Sequence, residues 1–252
     1  RDMPSIDINC DMGESFGPWV MGQDTELMPH ITAANIACGF HAGDPDVMLA
    51  TVRAAIAADV AIGAHPGLPD LQGFGRRVMA VTPDEVYALT VYQVGALQAM
   101  ARSQGGRLHH VKTHGALYTL TARDPALADA VARAVADVDP ALPIYVANAA
   151  IAQATRERGL RAVYEVYADR SYQDDGTLTP RSQPHAMIED VDQAIAQVKR
   201  MVKEGVVRAL SGKDVPITAD TLCIHGDQPG AALFARRIRA ALEAEGIEIR
   251  TV

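Results

Sequence analysis

The chain has 252 residues, 48% hydrophobic and 21% charged, with a formal net charge of −8. That balance suits a globular protein with a sizeable core and excludes wholesale disorder, collagen-like repeats and a membrane-spanning architecture, since no stretch approaches the ~20 unbroken apolar residues of a bilayer helix. A negative field repels phosphate backbones and no Lys/Arg cluster offsets it, so neither nucleic acid nor a membrane is an expected partner. Cys10, Cys38 and Cys223 are odd in number and far apart, which argues against a disulfide framework and for a cytoplasmic location. The N-terminus lacks the regions of a signal peptide. Met3 is read as the native start, with Arg1 and Asp2 added ahead of it.

Short β-branched runs alternate with amphipathic stretches along the whole chain. Strands are expected at Ser5–Cys10, Asn35–Cys38, Val60–Gly63, Leu108–Lys112, Ile144–Ala147, Ala162–Val166 and Thr221–Ile224. Several are almost continuously apolar, as strands covered on both faces of a parallel sheet are. Between them, Asp44-Pro45 supplies a cap and a first-turn proline, with Met48, Val52, Ala55 and Ile56 on one face. Thr82-Pro83-Asp84-Glu85 reads as a capping box. Asp124-Pro125 opens a further helix; Val191, Ile195, Val198 and Val202 mark another, closed by Gly205, and Phe234, Ile238, Ala241 and Leu242 the last. About seven strand–helix units with no Pro/Gly/Ser-rich linker predict one domain over residues 1–252. Its expected fold is α/β, a (β/α) barrel of about seven strands rather than an open sheet.

The barrel is preferred because ionisable residues recur at the C-terminal ends of the strands, which meet in one ring only if the sheet closes. Asn9 and Asp11 end the first strand, with Glu14 close behind. His41 follows the second and His65 the third; Lys112 and His114 belong to the fourth, Asp169 and Arg170 to the sixth, and His225 and Asp227 to the seventh. One histidine at a strand end is commonly structural. A ring of imidazoles, acids and cations is costly to bury without a purpose and points to a functional pocket. Asp44 has a sufficient explanation as a helix cap, and Asp227 is shared between capping the last helix and the site. His109 and His110 lie within a strand, where at least one must face away from the ring, and His30 and His185 fall in loops.

No phosphate-binding GxxxxGK[ST], dinucleotide-binding GxGxxG, GxSxG elbow or HExxH is present. The three cysteines are expected to pack as small hydrophobes. The chemistry therefore falls to carboxylate, imidazole, lysine and arginine.

The segments 7–14, 35–43, 63–67, 73–77, 111–118, 165–170 and 223–227 together resemble the LamB/YcsF family, the A subunits of bacterial ATP-dependent 5-oxoprolinase. They span nearly the whole chain in order. Thr113 departs from the pattern, where the family usually has proline before the histidine. The resemblance implies an incomplete (β/α) barrel of the glycoside hydrolase/deacetylase kind. It also implies opening of 5-oxo-L-proline to L-glutamate coupled to ATP hydrolysis, ATP as cosubstrate, and B and C partner subunits; homo-oligomerisation stays open.

For that reaction Asp11, helped by His41 or His65, is expected to orient and deprotonate water. Lys112 and Arg170 would hold the substrate carboxylate and any phosphate, with Asn9 in the same substrate-binding group. His114 or His225 would protonate the leaving nitrogen, and Asp169 and Asp227 would fix imidazole tautomers or the lysine. Two other readings remain. One is a metal-dependent deacetylase or amidohydrolase with a divalent ion on Asp11, His41 and His65. The other is a non-catalytic binding component of a lactam-utilisation complex.

Overall fold

The computed structural model describes residues 2–252; Arg1, read above as an added residue, lies outside them. In chain order the strands are β1 (Ser5–Met12), β2 (Ala33–Ala37), β3 (Ala61–His65), β4 (Leu108–Val111), β5 (Ile144–Val146), β6 (Ala162–Tyr167), β7 (Val206–Arg208), β8 (Asp214–Pro216), β9 (Thr221–Ile224) and β10 (Glu248–Ile249). The helices are α1 (Asp24–Leu27), α2 (Pro45–Ala57), α3 (Pro83–Ser103), α4 (Gly115–Arg123), α5 (Pro125–Val138), α6 (Ala149–Glu157), α7 (Val191–Glu204) and α8 (Ala231–Ala244). Strands β1-β2-β3-β4-β5-β6-β9 run parallel, and β9 pairs back onto β1, so the sheet closes with seven strands. The antiparallel hairpin β7–β8 replaces a further strand–helix unit between α7 and β9. Strand β10 pairs with the first residues of β1 and carries the C-terminus beneath the barrel, where the Val252 backbone oxygen accepts from His109 at 2.9 Å.

The expected helix starts form as capping chemistry dictates. Asp44 accepts from the Val47 N–H, Thr82 and Glu85 complete the reciprocal capping box, and α7 stops at Gly205, whose φ of +67° suits a residue without Cβ. Gly230 caps α8 instead of Asp227, so the capping role weighed for Asp227 is not realised.

Strand β1 shows how the barrel divides its residues. Ile6, Ile8, Cys10 and Met12 point outward and are fully buried beneath the helices. Each large apolar side chain so buried contributes about 1.5–3 kcal/mol. The alternate residues Asp7, Asn9 and Asp11 belong to the lumen, where polar groups bond to one another. Strands of this barrel are covered on both faces, as expected, but the inner face is polar.

Asp7 lies at the floor, accepting from the hydroxyls of Thr32, Tyr145 and Thr221. His110 stacks on Tyr145 with ring centroids 3.9 Å apart and contacts Asn35 Oδ1 at 2.6 Å through Nε2. A register shift beside Gly63 accommodates it, and His109 meets His110 at 2.9 Å lower down. Both rings thus lie in the lower lumen, and neither joins the mouth.

A Cβ on Gly63 would fall on the His110 ring, well inside van der Waals contact. We expect Gly63→Ala to cost about 1–3 kcal/mol, the usual penalty for overpacking a filled interior. Urea denaturation checks this; an unchanged midpoint would show that the ring has room to move. Among the described residues no helix is long and apolar enough to cross a membrane.

Candidate active site at the barrel mouth

The C-terminal strand ends enclose a cavity of about 500 Å³ lined by Asp11, His65, Lys112, His114, Arg170, His225 and Asp227. Seven of the ten expected site residues therefore meet there. Asn9 and His41 lie behind the wall, both almost completely buried. Asp169 falls outside it and lines a neighbouring pocket with His225 and Gln228, its carbonyl accepting from the N–H of Ile188, which lines the same pocket. The cavity wall also includes Glu165, Tyr167, Tyr118, Arg76 and Arg181, none of them in the expected set. A larger groove of about 1030 Å³ runs beside the β7–β8 hairpin, but the barrel's converging acids and imidazoles open into the smaller cavity.

Lys112 is the hub of the lumen network. Its Nζ lies 2.8 Å from Glu165 Oε2, 3.1 Å from Asn9 Oδ1, 3.4 Å from Asp11 Oδ1 and 3.5 Å from Cys223 Sγ. Asn9 donates to Glu165 and Thr221, Asn35 donates to Asn9 and Asp11, and the Tyr167 hydroxyl donates to Glu165 at 2.7 Å. Burial favours the neutral amine, yet the charges of Asp11 and Glu165 and the hydrogen bond to Glu165 outweigh it and hold the Lys112 pKa well above the usual lysine range. The ammonium is therefore engaged by protein acids.

Asp11 is the more solvent-exposed of the two acids that Lys112 meets. Burial pushes its carboxyl up, but the charges of His65 and Lys112 and a hydrogen bond from His65 hold it well below the usual carboxylate range. Its Oδ2 lies 3.3 Å from His65 Nε2. His65 donates through Nδ1 to the Lys112 carbonyl at 2.7 Å, and His114 through Nε2 to the Phe74 carbonyl at 2.7 Å. Carbonyls only accept, so both tautomers are set by backbone.

Burial and the neighbouring His65 lower the His114 pKa to about 3, so this ring is neutral at ordinary pH. His41 stacks on His114 with centroids 3.6 Å apart and meets Glu14 at 2.9 Å; burial, then His114 and His65, keep it well below the usual histidine range. Donor atoms of Glu14, His41, His65 and His114 all lie within 4.8 Å of one another, a spacing that could hold a metal ion. Burial pushes the Cys223 thiol up, as expected of a packed cysteine.

The loop after β3 completes this wall. Gly75, with φ +65°, brings its carbonyl onto the Ala116 N–H at 2.8 Å, while Asp70 accepts from Gly73 N and the Arg77 guanidinium. Those hydrogen bonds, the one from Arg77 first, hold Asp70 down at about 2. A depressed carboxyl contributes stability above the ordinary value near ~3.9 and loses it as pH falls through the folded-state value near ~2. The denaturation midpoints of wild type and Asp70→Asn should accordingly differ at neutral pH and converge on acidification across that window. A gap that persists at the acid end contradicts the assignment.

The family model for LamB/YcsF matches residues 6–252. The chain belongs to the LamB/YcsF family. This LamB/YcsF chain is 62% identical over 248 residues to a Bordetella pertussis protein named as the A subunit of 5-oxoprolinase, covering 98% of each. It is 53% identical over 251 residues to the Bacillus subtilis protein of the same name, covering 99% of this chain and 98% of that one. The crystal structure of a lactam utilization protein from Thermus thermophilus superposes with a TM-score of 0.95 at 48% identity, covering 98% of this chain and 100% of that one. The LamB/YcsF assignment and the closed barrel thus agree with the expectations from sequence.

Proposed function

We propose that this chain is the A subunit of an ATP-dependent 5-oxoprolinase, a hydrolase that opens the lactam of 5-oxo-L-proline to give L-glutamate. The near-full-length identity to proteins named as A subunits of 5-oxoprolinase supports the reaction class. The observation that carries the catalytic assignment is Asp11, held anionic between His65 and Lys112 at the wall of the cavity.

The lactam resists attack because amide resonance weakens its carbonyl electrophile and makes the amine a poor leaving group. Phosphoryl transfer from ATP to the amide oxygen activates the carbon, releasing ADP. Water then adds to that carbon and the ring C–N bond breaks with proton delivery to nitrogen, leaving a γ-glutamyl phosphate whose acyl–phosphate bond a second water hydrolyses to glutamate and phosphate. Asp11 orients the water and takes its proton, with His65 fixing the carboxylate.

Lys112 serves by keeping Asp11 ionised and aligned, since Glu165 and Asn9 already occupy it. Recognition of the substrate carboxylate and phosphate then falls to Arg170, whose buried Nε has no hydrogen-bond partner, and to Arg76 and Arg181 on the same wall. His114, neutral and tied to Phe74, is poorly placed to give up a proton. His225 lines the cavity with a buried, unpartnered Nε2 and is assigned to the leaving nitrogen.

ATP use involves B and C partner subunits in this reading. Reconstitution with those subunits, measuring glutamate and ADP from 5-oxoproline with each component omitted in turn, tests it. Glutamate should require this chain; undiminished glutamate without it would overturn the assignment.

A further inference from the structure

The facing nitrogens of His65 and His114 are 3.0 Å apart, Nε2 to Nδ1. Each ring spends its N–H on a backbone carbonyl on its far side, His65 on Lys112 and His114 on Phe74. With the far-side nitrogens engaged in this way, the facing nitrogens are the ones left to present lone pairs to a cation. Asp11 Oδ2, a third acceptor, lies 3.3 Å from the same His65 nitrogen. Nitrogens of two imidazoles and a carboxylate oxygen thus gather around His65 Nε2, where a proton or a metal ion can serve as the shared cation.

We propose that Asp11, His65 and His114 form a binding site for one divalent transition-metal ion of the zinc class. Two ligands about 2.0–2.1 Å from a tetrahedral zinc lie roughly 3.3 Å apart, and the observed separations of 3.0 and 3.3 Å fit that edge. The backbone carbonyls behind both rings are the orienting partners that metal-bound histidines have. Two imidazoles and a carboxylate suit zinc better than magnesium or calcium, which prefer oxygen. All three ligands line the cavity, leaving further coordination positions toward it. This ligand set replaces His41, whose Nε2 is engaged by Glu14, with His114. When bound, the ion would supply Lewis acidity at the wall where Asp11 and His65 meet the cavity.

The site rests on ligand geometry and not on the lactam assignment, so binding is read directly. Chelator-stripped full-length chain is titrated with Zn²⁺ alone by calorimetry, and with Co²⁺ while the visible spectrum is followed. One equivalent should bind, with the intense d–d absorption of low-coordinate cobalt. Because loss of an orienting partner alone weakens metal sites roughly 10–100-fold, His114→Gln and Asp11→Asn should each weaken binding at least about 100-fold. Thermal melts of the metal-free proteins show whether each variant folds; His65→Gln substitutes for any that does not. Absence of stoichiometric binding would leave a shared proton as the bridging cation and overturn the proposal. Binding of equal affinity in the folded ligand variants would place the ion elsewhere and overturn it too. Glutamate production in the reconstituted complex is scored separately, so failure of the metal site and failure of the lactam reading are distinguishable.

Discussion

Replacing Lys112 by methionine should produce the largest combined effect on stability and turnover. The substitution keeps an unbranched stem, one atom shorter, and removes the charge that Glu165 and Asp11 share. Glu165 is almost fully buried, with the Tyr167 hydroxyl and the Asn9 amide as its other donors. Breaking a buried ion pair by removing one partner costs about 3–5 kcal/mol, because the remaining charge stays desolvated. Lys112→Met should therefore lose about that much in urea denaturation, and Lys112→Met/Glu165→Gln should recover a substantial part, the signature of a coupled pair. Glutamate formation by the reconstituted complex should fall about 10²–10⁴-fold, since Asp11 loses the contact that holds its carboxylate in line for the water. Additive losses in the double variant would show that the two residues act independently.

Asp11→Asn should abolish most turnover with much less effect on folding. The amide retains the carboxylate's shape and its oxygen can still accept from Asn35, yet it cannot take a proton from water. A positioned base is worth about 10²–10⁴-fold, so kcat for glutamate should drop by that order. The KM for 5-oxoproline should change little, because the proposed partner of Asp11 is water. Normal glutamate production by the folded variant would remove Asp11 from the chemistry.

Strand and helix content is legible where residue chemistry is local. All seven barrel strands are readable from sequence within a few residues of their observed limits, and proline and capping residues mark α2, α3 and α5. The hairpin β7–β8 and strand β10 are not, because two or three residues are too few to show a period. Helix α4 begins without a side-chain cap, and α6 is opened by Asn148 accepting from Ile151 N with no proline to mark it.

The ring at the mouth is readable because barrel closure gathers strand ends into one place. Glu165 escapes because it lies inside a strand that reads as apolar and buried. The available signal is the two-residue alternation of Asp7, Asn9 and Asp11 on β1, which Glu165 and Tyr167 repeat on β6 and Thr221 and Cys223 on β9. The placement of Asp169 outside the cavity depends on how the chain turns after β6, and that of His41 behind His114 on a stacking contact. Spacing along the chain encodes neither.

The most direct test of the central claim is a crystal structure of this chain, assembled with its partner subunits, with 5-oxo-L-proline and a non-hydrolysable ATP analogue bound. The account predicts the ring in the mouth cavity, its carbonyl carbon facing Asp11 and His65 across one water, about hydrogen-bond distance at each step, and its nitrogen toward His225. A ring seated in the groove beside the hairpin, or held by a partner chain with no contact to these side chains, would contradict it.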